Sequence, residues 1–278
     1  MRILFIGDIV GKPGRKIVAQ ALPGLRKREQ LDLVIANAEN AADGSGITPK
    51  IYRELMVAGV DCITLGDHIY RRFEITNVLE SEANIIKPAN YPEEAPGRNW
   101  AVVEAANGVS VAVISVLGRV YMRPVDCPFK ALDHVLAEIP PEVKVRFVDI
   151  HAEATSDKQV IGRYLDGRVS AAIGTHTHVP TADEQLFPGG TAFQCDVGMT
   201  GPYESILGRK IDRVTHATIT FRPIPFQVAT DDIRIGGAIV DVDPDTGNAT
   251  AIKRVMINEQ EAAELQCAIS SPMNSTVL

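Results

Sequence analysis

Five short apolar runs in this chain each stop at a turn carrying carboxylates, amides or imidazoles. The runs are RILFI (2–6), DLVIA (32–36), CITL (62–65), VRFVDI (145–150) and SAAIG (170–174). Their length and β-branched content predict buried strands. Helical patterns separate the first three. One is KPGRKIVAQALPGLRKRE (12–29), with Pro13 in its first turn and a kink expected at Pro23; another is entered at Thr48-Pro49, an N-cap followed by an N1 proline. The order βαβαβ predicts a largely parallel sheet covered by helices on both faces. In such a sheet the loops beyond the carboxyl ends of the strands gather on one edge, where ligands bind.

The residues following each run are therefore the ones that matter: Gly7-Asp8, then Asn37-Ala38-Glu39-Asn40, then Gly66-Asp67-His68, then His151, and finally His176 and His178 in GTHTHVP. Each has an ordinary reading by itself. An aspartate after a strand caps a helix or makes a turn, Glu39-Asn40 can be a turn, and a single buried histidine needs only a hydrogen-bond partner. Five such loops on one edge would require five independent explanations, whereas one metal site accounts for all of them. Imidazoles mixed with carboxylates suit Fe, Mn²⁺, Zn²⁺ or Co²⁺, and an all-oxygen set would favour Mg²⁺ or Ca²⁺. Six or seven ligands exceed what one ion with an open position needs, so two ions bridged by a carboxylate are expected. Such a pair suits hydrolysis of phosphate esters.

With 278 residues, 45% of them hydrophobic, the chain can bury a large core. Its formal charge of −7 and lack of a basic run exclude a surface built to neutralise a nucleic-acid duplex. The start MRILFIGDIVG resembles a signal peptide only until Asp8 interrupts it, and no apolar stretch reaches the length of a bilayer span. Cys62, Cys127, Cys195 and Cys267 lack CxxC spacing, which argues against a zinc ribbon or a disulfide framework and favours a cytoplasmic location without membrane association. AVVEAANGVSVAVISVLG (101–118) reads as a hairpin turning at Asn107-Gly108 and adds antiparallel members to the sheet. TAFQ, THATITF, GGAIVDVD and NATAIKRVMI predict a second, mostly antiparallel sheet on the same core. No linker divides the chain, so a single domain over 1–278 is expected, with a frayed tail at 268–278.

The succession GD (7–8), GDH (66–68), His151 and GTHTH (174–178) resembles the calcineurin-like metallophosphoesterases, whose pattern is GD, GNH, H and GHxH at successive strand ends. ILFIGDIVGKPGR, ANAENAADGSGIT, KPANYPEEAPG, HAEATSDK, GTHTHVPTAD and DVGMTGPYESILG are similar to the YmdB-like bacterial phosphodiesterases, with matches from residue 3 to about 257. The resemblance implies a double-sheet, four-layer α/β sandwich and two metal ions. Asp8, Glu39 and His178 would hold one ion, and Glu39, Asn40, Asp67, His151 and His176 the other, with Glu39 bridging. His68 would lie outside the ligand set as the catalytic residue on the leaving-group side. The implied substrates are phosphodiesters such as 2′,3′-cyclic nucleotides, extending to phosphomonoesters, and the implied state is a homo-oligomer.

Two positions depart from the wider pattern. Val10 stands where a DxH motif would place a histidine, a gap shared by the closer branch, and Asp67 stands where the pattern has asparagine. The extra carboxylate predicts tighter metal binding and a weaker pull on an anionic substrate. Two other functions use similar residues: a metal-dependent amidase or deacetylase, and a metal-bound scaffold that binds nucleotide and regulates without turnover. The late position of HxH weighs against the first, and a non-ligand His68 against the second. Gly11, Gly14 and Arg15 could cradle phosphate at a helix start or simply form a tight turn. His134 (helical pattern) and His216 (strand pattern) read as ordinary residues, while Arg119 and the 196–203 segment are candidate substrate contacts.

Overall fold

The computed structural model describes residues 1–270. In chain order its strands are β1 (Arg2–Ile6), β2 (Asp8–Ile9), β3 (Leu33–Asn37), β4 (Cys62–Thr64), β5 (Trp100–Glu104), β6 (Ser110–Leu117), β7 (Val145–His151), β8 (Ala171–Thr175), β9 (Gln185–Leu186), β10 (Ala192–Gln194), β11 (Met199–Pro202), β12 (Ile233–Val242) and β13 (Ala249–Asn258). The α-helices are α1 (Gly11–Glu29), α2 (Pro49–Ala58), α3 (Thr76–Ser81), α4 (Pro128–Glu138), α5 (Thr155–Leu165), α6 (Ile211–Thr220) and α7 (Glu259–Ser270). Helix α1 runs through Pro23 as one element. Helix α2 starts as its sequence dictates: Thr48 Oγ1 accepts from the Ile51 N–H at 3.3 Å, with Pro49 at N1.

The strands form two mixed sheets. In the first, β1, β3 and β4 are parallel neighbours, β12 pairs antiparallel with β1, β11 and β13, and β2 pairs with β11. The second has the order β5-β6-β7-β8-β10-β9, parallel in its four central strands and antiparallel at both edges. This corrects the sequence expectation that all five leading strands share one parallel sheet: β7 and β8 belong to the second sheet. Of the late strands, β10 joins β8 in parallel, whereas β12 and β13 enter the first sheet. A strand apolar on both faces reads alike in either sheet, so only long-range pairing assigns it.

Alternation along each strand builds three apolar layers. Ile3 and Phe5 of β1 face the layer between the sheets with Leu33, Ile35, Val113, Phe147 and Ile173, and the Phe5 and Phe147 rings lie 4.9 Å apart. Leu4 and Ile6 face outward onto Ile17, Val18 and Leu22 of α1 and Leu265 of α7. On the far side Ile114, Val148 and Ile150 pack on Leu132 and Val135 of α4 and Ile161 of α5. Helix, sheet, sheet and helix thus form the four-layer sandwich.

Three further expectations change. THATITF lies in α6, where a helix satisfies its own backbone hydrogen bonds in a segment with no strand beside it; His216 is therefore helical. Residues 199–202, expected as a substrate loop, are the buried strand β11. Residues 268–270 close α7, and the remainder of the expected frayed tail lies outside the described residues. His134 is on α4 as its pattern predicted.

Candidate metal centre

Parallel strands of both sheets end on the same edge, and their loops converge. Glu39 follows β3, Asp67 follows β4, His151 ends β7 and His176 follows β8; one donor atom from each lies within 4.8 Å of the others. His151 Nε2 is 3.2 Å from Glu39 Oε1, 3.3 Å from Asp67 Oδ1 and 3.0 Å from His176 Nδ1. Asp8 and His178 lie beside this group, with His178 Nε2 3.9 Å from Asp8 Oδ1. Asn40 stands between the two sets: its amide nitrogen is 3.2 Å from Glu39 Oε1, 3.2 Å from His178 Nε2 and 3.4 Å from Asp8 Oδ1.

The three histidines share one design. Each has a ring nitrogen bonded to an acceptor outside the cluster and turns the other inward. His151 Nδ1 donates to Thr175 Oγ1 (2.9 Å), whose hydroxyl donates to the buried Asp149 (2.6 Å). His176 Nε2 faces Glu153 (3.3 Å), and His178 Nδ1 donates to the Leu207 carbonyl (3.0 Å). Such anchoring selects the tautomer whose inward nitrogen carries a lone pair, as a metal-binding imidazole requires.

Burial and charge press on the same atoms. Burial opposes ionisation of Glu39 and Asp67, yet the neighbouring imidazoles hold both carboxyl pKa values below the usual range. Burial likewise disfavours a charged His151, but Glu39 and Asp67 push its pKa well above 6.5. Burial raises Asp149 to about 6 against the opposing pull of His151, Thr175 and Thr64. Among the described residues no lysine or arginine pairs with Asp8, Glu39 or Asp67. Imidazoles are the counter-charges these carboxylates meet within the chain, and a cation bound among them would displace the His151 proton. The donor set fits divalent transition metals. Gly66 fits it too, because a Cβ there would collide with the His151 ring and the Glu39 carboxylate.

The HTH turn is held in a costly conformation. His176 (φ 96°) and His178 (φ 65°) both occupy the left-handed region. Between them Thr177 gives its N–H (3.1 Å) and hydroxyl (2.8 Å) to Asp196, which also takes the buried Lys158 ammonium at 2.6 Å.

His68 stands beside the cluster, partly exposed. Its N–H bonds Glu39 (3.0 Å), its Nδ1 donates to Asn40 Oδ1 (2.7 Å), and its Nε2 is 3.7 Å from Asp67 Oδ2. All eight residues singled out in the sequence thus lie in one neighbourhood. Sequence reading assigned no role to Asp149, Glu153, Thr175, Lys158 or Asp196, although each lies inside a segment it singled out: VRFVDI, HAEATSDK, GTHTHVPTAD or DVGMTGPYESILG. The phosphate cradle at Gly11, Gly14 and Arg15 is not formed: a Cβ on Gly14 would strike the Thr200 carbonyl, and Arg15 pairs with Glu54. Arg119 donates its backbone N–H to Asp157 at 2.7 Å.

A double-sheet α/β sandwich with a histidine–carboxylate cluster at its strand ends is the architecture of a metallophosphoesterase. The chain belongs to the YmdB-like protein family, whose model matches residues 4–255. It is 44% identical to a 2′,3′-cyclic-nucleotide 2′-phosphodiesterase of Bacillus subtilis, over 93% of this chain and 98% of that one. Two solved structures share the fold. A hypothetical protein from Thermus thermophilus has TM-score 0.88 and 43% identity, over 93% of this chain and 100% of the other. A phosphatase from Mycoplasma pneumoniae has TM-score 0.87 and 31% identity, over 93% of each.

Proposed function

We propose that this chain is a dinuclear metal-dependent phosphodiesterase acting on 2′,3′-cyclic nucleotides. The observation that carries the reading is the shared design of His151, His176 and His178, each anchored at one ring nitrogen and directing the other toward carboxylates that lack a cation. The activity named for the Bacillus subtilis relative supports the substrate class. Glu39, Asp67, His151 and His176 would hold one ion, and Asp8, His178 and Glu39 the second, with Asn40 in reach of both sets. Ions there would supply Lewis acidity to phosphoryl oxygens and make hydroxide available at neutral pH. Iron or manganese suits this set best, with zinc or cobalt as substitutes.

The chain's own groups do the remaining work. A water oxygen forms a bond to phosphorus and releases one proton to solvent while the P–O2′ bond breaks; the departing 2′ oxygen takes a proton from Nε2 of a doubly protonated His68, which solvent then reprotonates, leaving a 2′-hydroxyl and a 3′-monophosphate. The Asn40 carbonyl holds His68 at Nδ1, which turns Nε2 outward for that role. We assign the chain to the cytoplasm, since Cys62, Cys127 and Cys195 are thiols; among the described residues no helix is long and apolar enough to cross a membrane. We infer a homo-oligomer as well. Helix α6 buries none of its residues and leaves Ile219 74% and the adjoining Phe221 93% exposed.

Elemental analysis of protein purified without chelator, paired with assays on bis-p-nitrophenyl phosphate and 2′,3′-cyclic AMP, tests the reading. About two ions per chain are expected, with activity lost on chelation and restored by Mn²⁺. Absence of bound metal after reconstitution would overturn it.

A further inference from the structure

A cavity of about 470 Å³ opens against Asp67 and is otherwise lined by Tyr70, Arg71 and Arg123. That size suits a small-molecule subsite. Its walls are built from two loops at the same strand-end edge as the metal cluster. The first follows β4 and is one tight turn, in which the Arg71 N–H bonds the His68 carbonyl at 3.0 Å. Asp67, His68 and Arg71 are thus carried together. The second follows β6 and supplies Arg123.

Arg123 is held by an aromatic wall. Its guanidinium carbon lies 5.4 Å from the centre of the Tyr91 ring and one N–H donates to the Tyr91 hydroxyl at 3.2 Å. Tyr91 meets Tyr70 edge-on at 5.9 Å, and the Tyr70 hydroxyl is fixed to the Pro96 carbonyl at 2.6 Å. Among the described residues no carboxylate pairs with the guanidinium of Arg71 or Arg123. Other arginines lie against carboxylates, as Arg2 does with Asp241 and Arg168 with Asp133; what sets Arg71 and Arg123 apart is that both line one cavity beside the metal cluster. Two unmatched guanidinium groups in one pocket, on a chain of net charge −7, are the local positive charge that an anionic ligand needs.

On the reading above, the scissile cyclic phosphate belongs to the metal cluster, so an adjoining cationic pocket has no use for it. We propose that this pocket binds a second phosphate of the substrate. The preferred substrate is then a ribonucleotide that bears both a 2′,3′-cyclic phosphate and a 5′ phosphoryl group. That group can be a free 5′-monoester or the diester joining the nucleotide to the preceding residue of a chain. Both present charged non-bridging phosphoryl oxygens to the guanidinium groups, three on the monoester and two on the diester, and substrate choice separates them.

The test compares kcat/KM of the metal-loaded protein on adenosine 2′,3′-cyclic phosphate, its 5′-phosphorylated form, and the dinucleotide ApA ending in a 2′,3′-cyclic phosphate. A preference of at least about tenfold for one of the last two, seen in KM, is expected, and it should collapse toward unity in Arg71→Met/Arg123→Met. Preference for the monoester alone identifies a mononucleotide, and preference for the dinucleotide identifies an oligonucleotide end. Equal kcat/KM on all three, with good turnover, overturns the second-phosphate pocket and leaves the phosphodiesterase reading intact. If none is turned over, calorimetric binding of adenosine 3′,5′-bisphosphate against 3′-AMP decides. Tighter binding of the bisphosphate that is lost in the double variant upholds the pocket, and equal dissociation constants overturn it.

Discussion

The two ends of the same strands treat charge in opposite ways. At the amino ends of the first sheet Arg2 donates to both oxygens of Asp241 (2.6 and 2.9 Å), its backbone N–H takes Asp32 (2.6 Å), and Lys253 meets Glu29 (2.6 Å). Asp32, Asp241 and Glu29 each have a donor from within the chain, and hydrogen bonding to Arg2 and Lys253 holds Asp241 and Glu29 below the ordinary carboxylate range. At the carboxyl ends, Asp8, Glu39 and Asp67 meet imidazoles and one another. An end closed by its own cations is finished as a structure, whereas an end of converging lone pairs offers the donor set of a cation site. The contrast separates scaffold from site more sharply than burial does, since buried polar groups are found well away from the cluster too.

Breaking the carboxyl end should have the largest effect. Glu39→Ala or His151→Ala is expected to lower both metal content and phosphodiester turnover by more than the roughly 100-fold typical of groups that only orient a ligand; elemental analysis beside steady-state kinetics reads both. Next comes His68→Ala, which should keep its metal and turn over p-nitrophenyl esters well but lose about 10²- to 10⁴-fold on 2′,3′-cyclic AMP, whose leaving alkoxide needs a proton. Equal losses on the two substrates would remove His68 from the acid role.

Asp67→Asn sharpens the comparison without destroying the site. With one carboxylate fewer, metal affinity should fall and KM for a phosphodiester should drop, because the loaded centre is more positive; a raised KM contradicts this account of charge. The smallest effect belongs to the amino end. Asp241 has its pKa depressed in the fold, so its stabilising contribution is present above the unfolded value of about 3.9 and is lost as pH falls through the lower folded value. Asp241→Asn should therefore cost about 1 kcal/mol or less at neutral pH, flatten the acid limb of the stability curve, and leave metal content untouched. Thermal melts between pH 2 and 7 would show it.

That the candidate residues end strands was legible because strand ends are local features. Asp8, Glu39, Asn40, Asp67, His68, His151, His176 and His178 each follow an apolar run that one window of sequence reveals. The strand pairing was not legible. β7 and β8 are as apolar as β3, and nothing within VRFVDI says that its neighbours are β6 and β8 rather than β1. THATITF misled for a related reason: Thr215, Ala217 and Ile219 alternate as a strand would, but no sheet edge receives them.

By itself the sequence determined the chemistry on offer: which donors exist and that they end strands. Only the tertiary structure decided how those donors are aimed. The acceptors that set each imidazole come from Glu153, from Thr175 backed by Asp149, and from the Leu207 carbonyl, 29 residues beyond His178. The pocket that gathers Arg71 and Arg123 likewise needs two loops more than 50 residues apart. Hydrogen-bond direction and pocket shape depend on atoms brought together by sheet stacking, and such long-range pairings leave no pattern within any one segment of the chain.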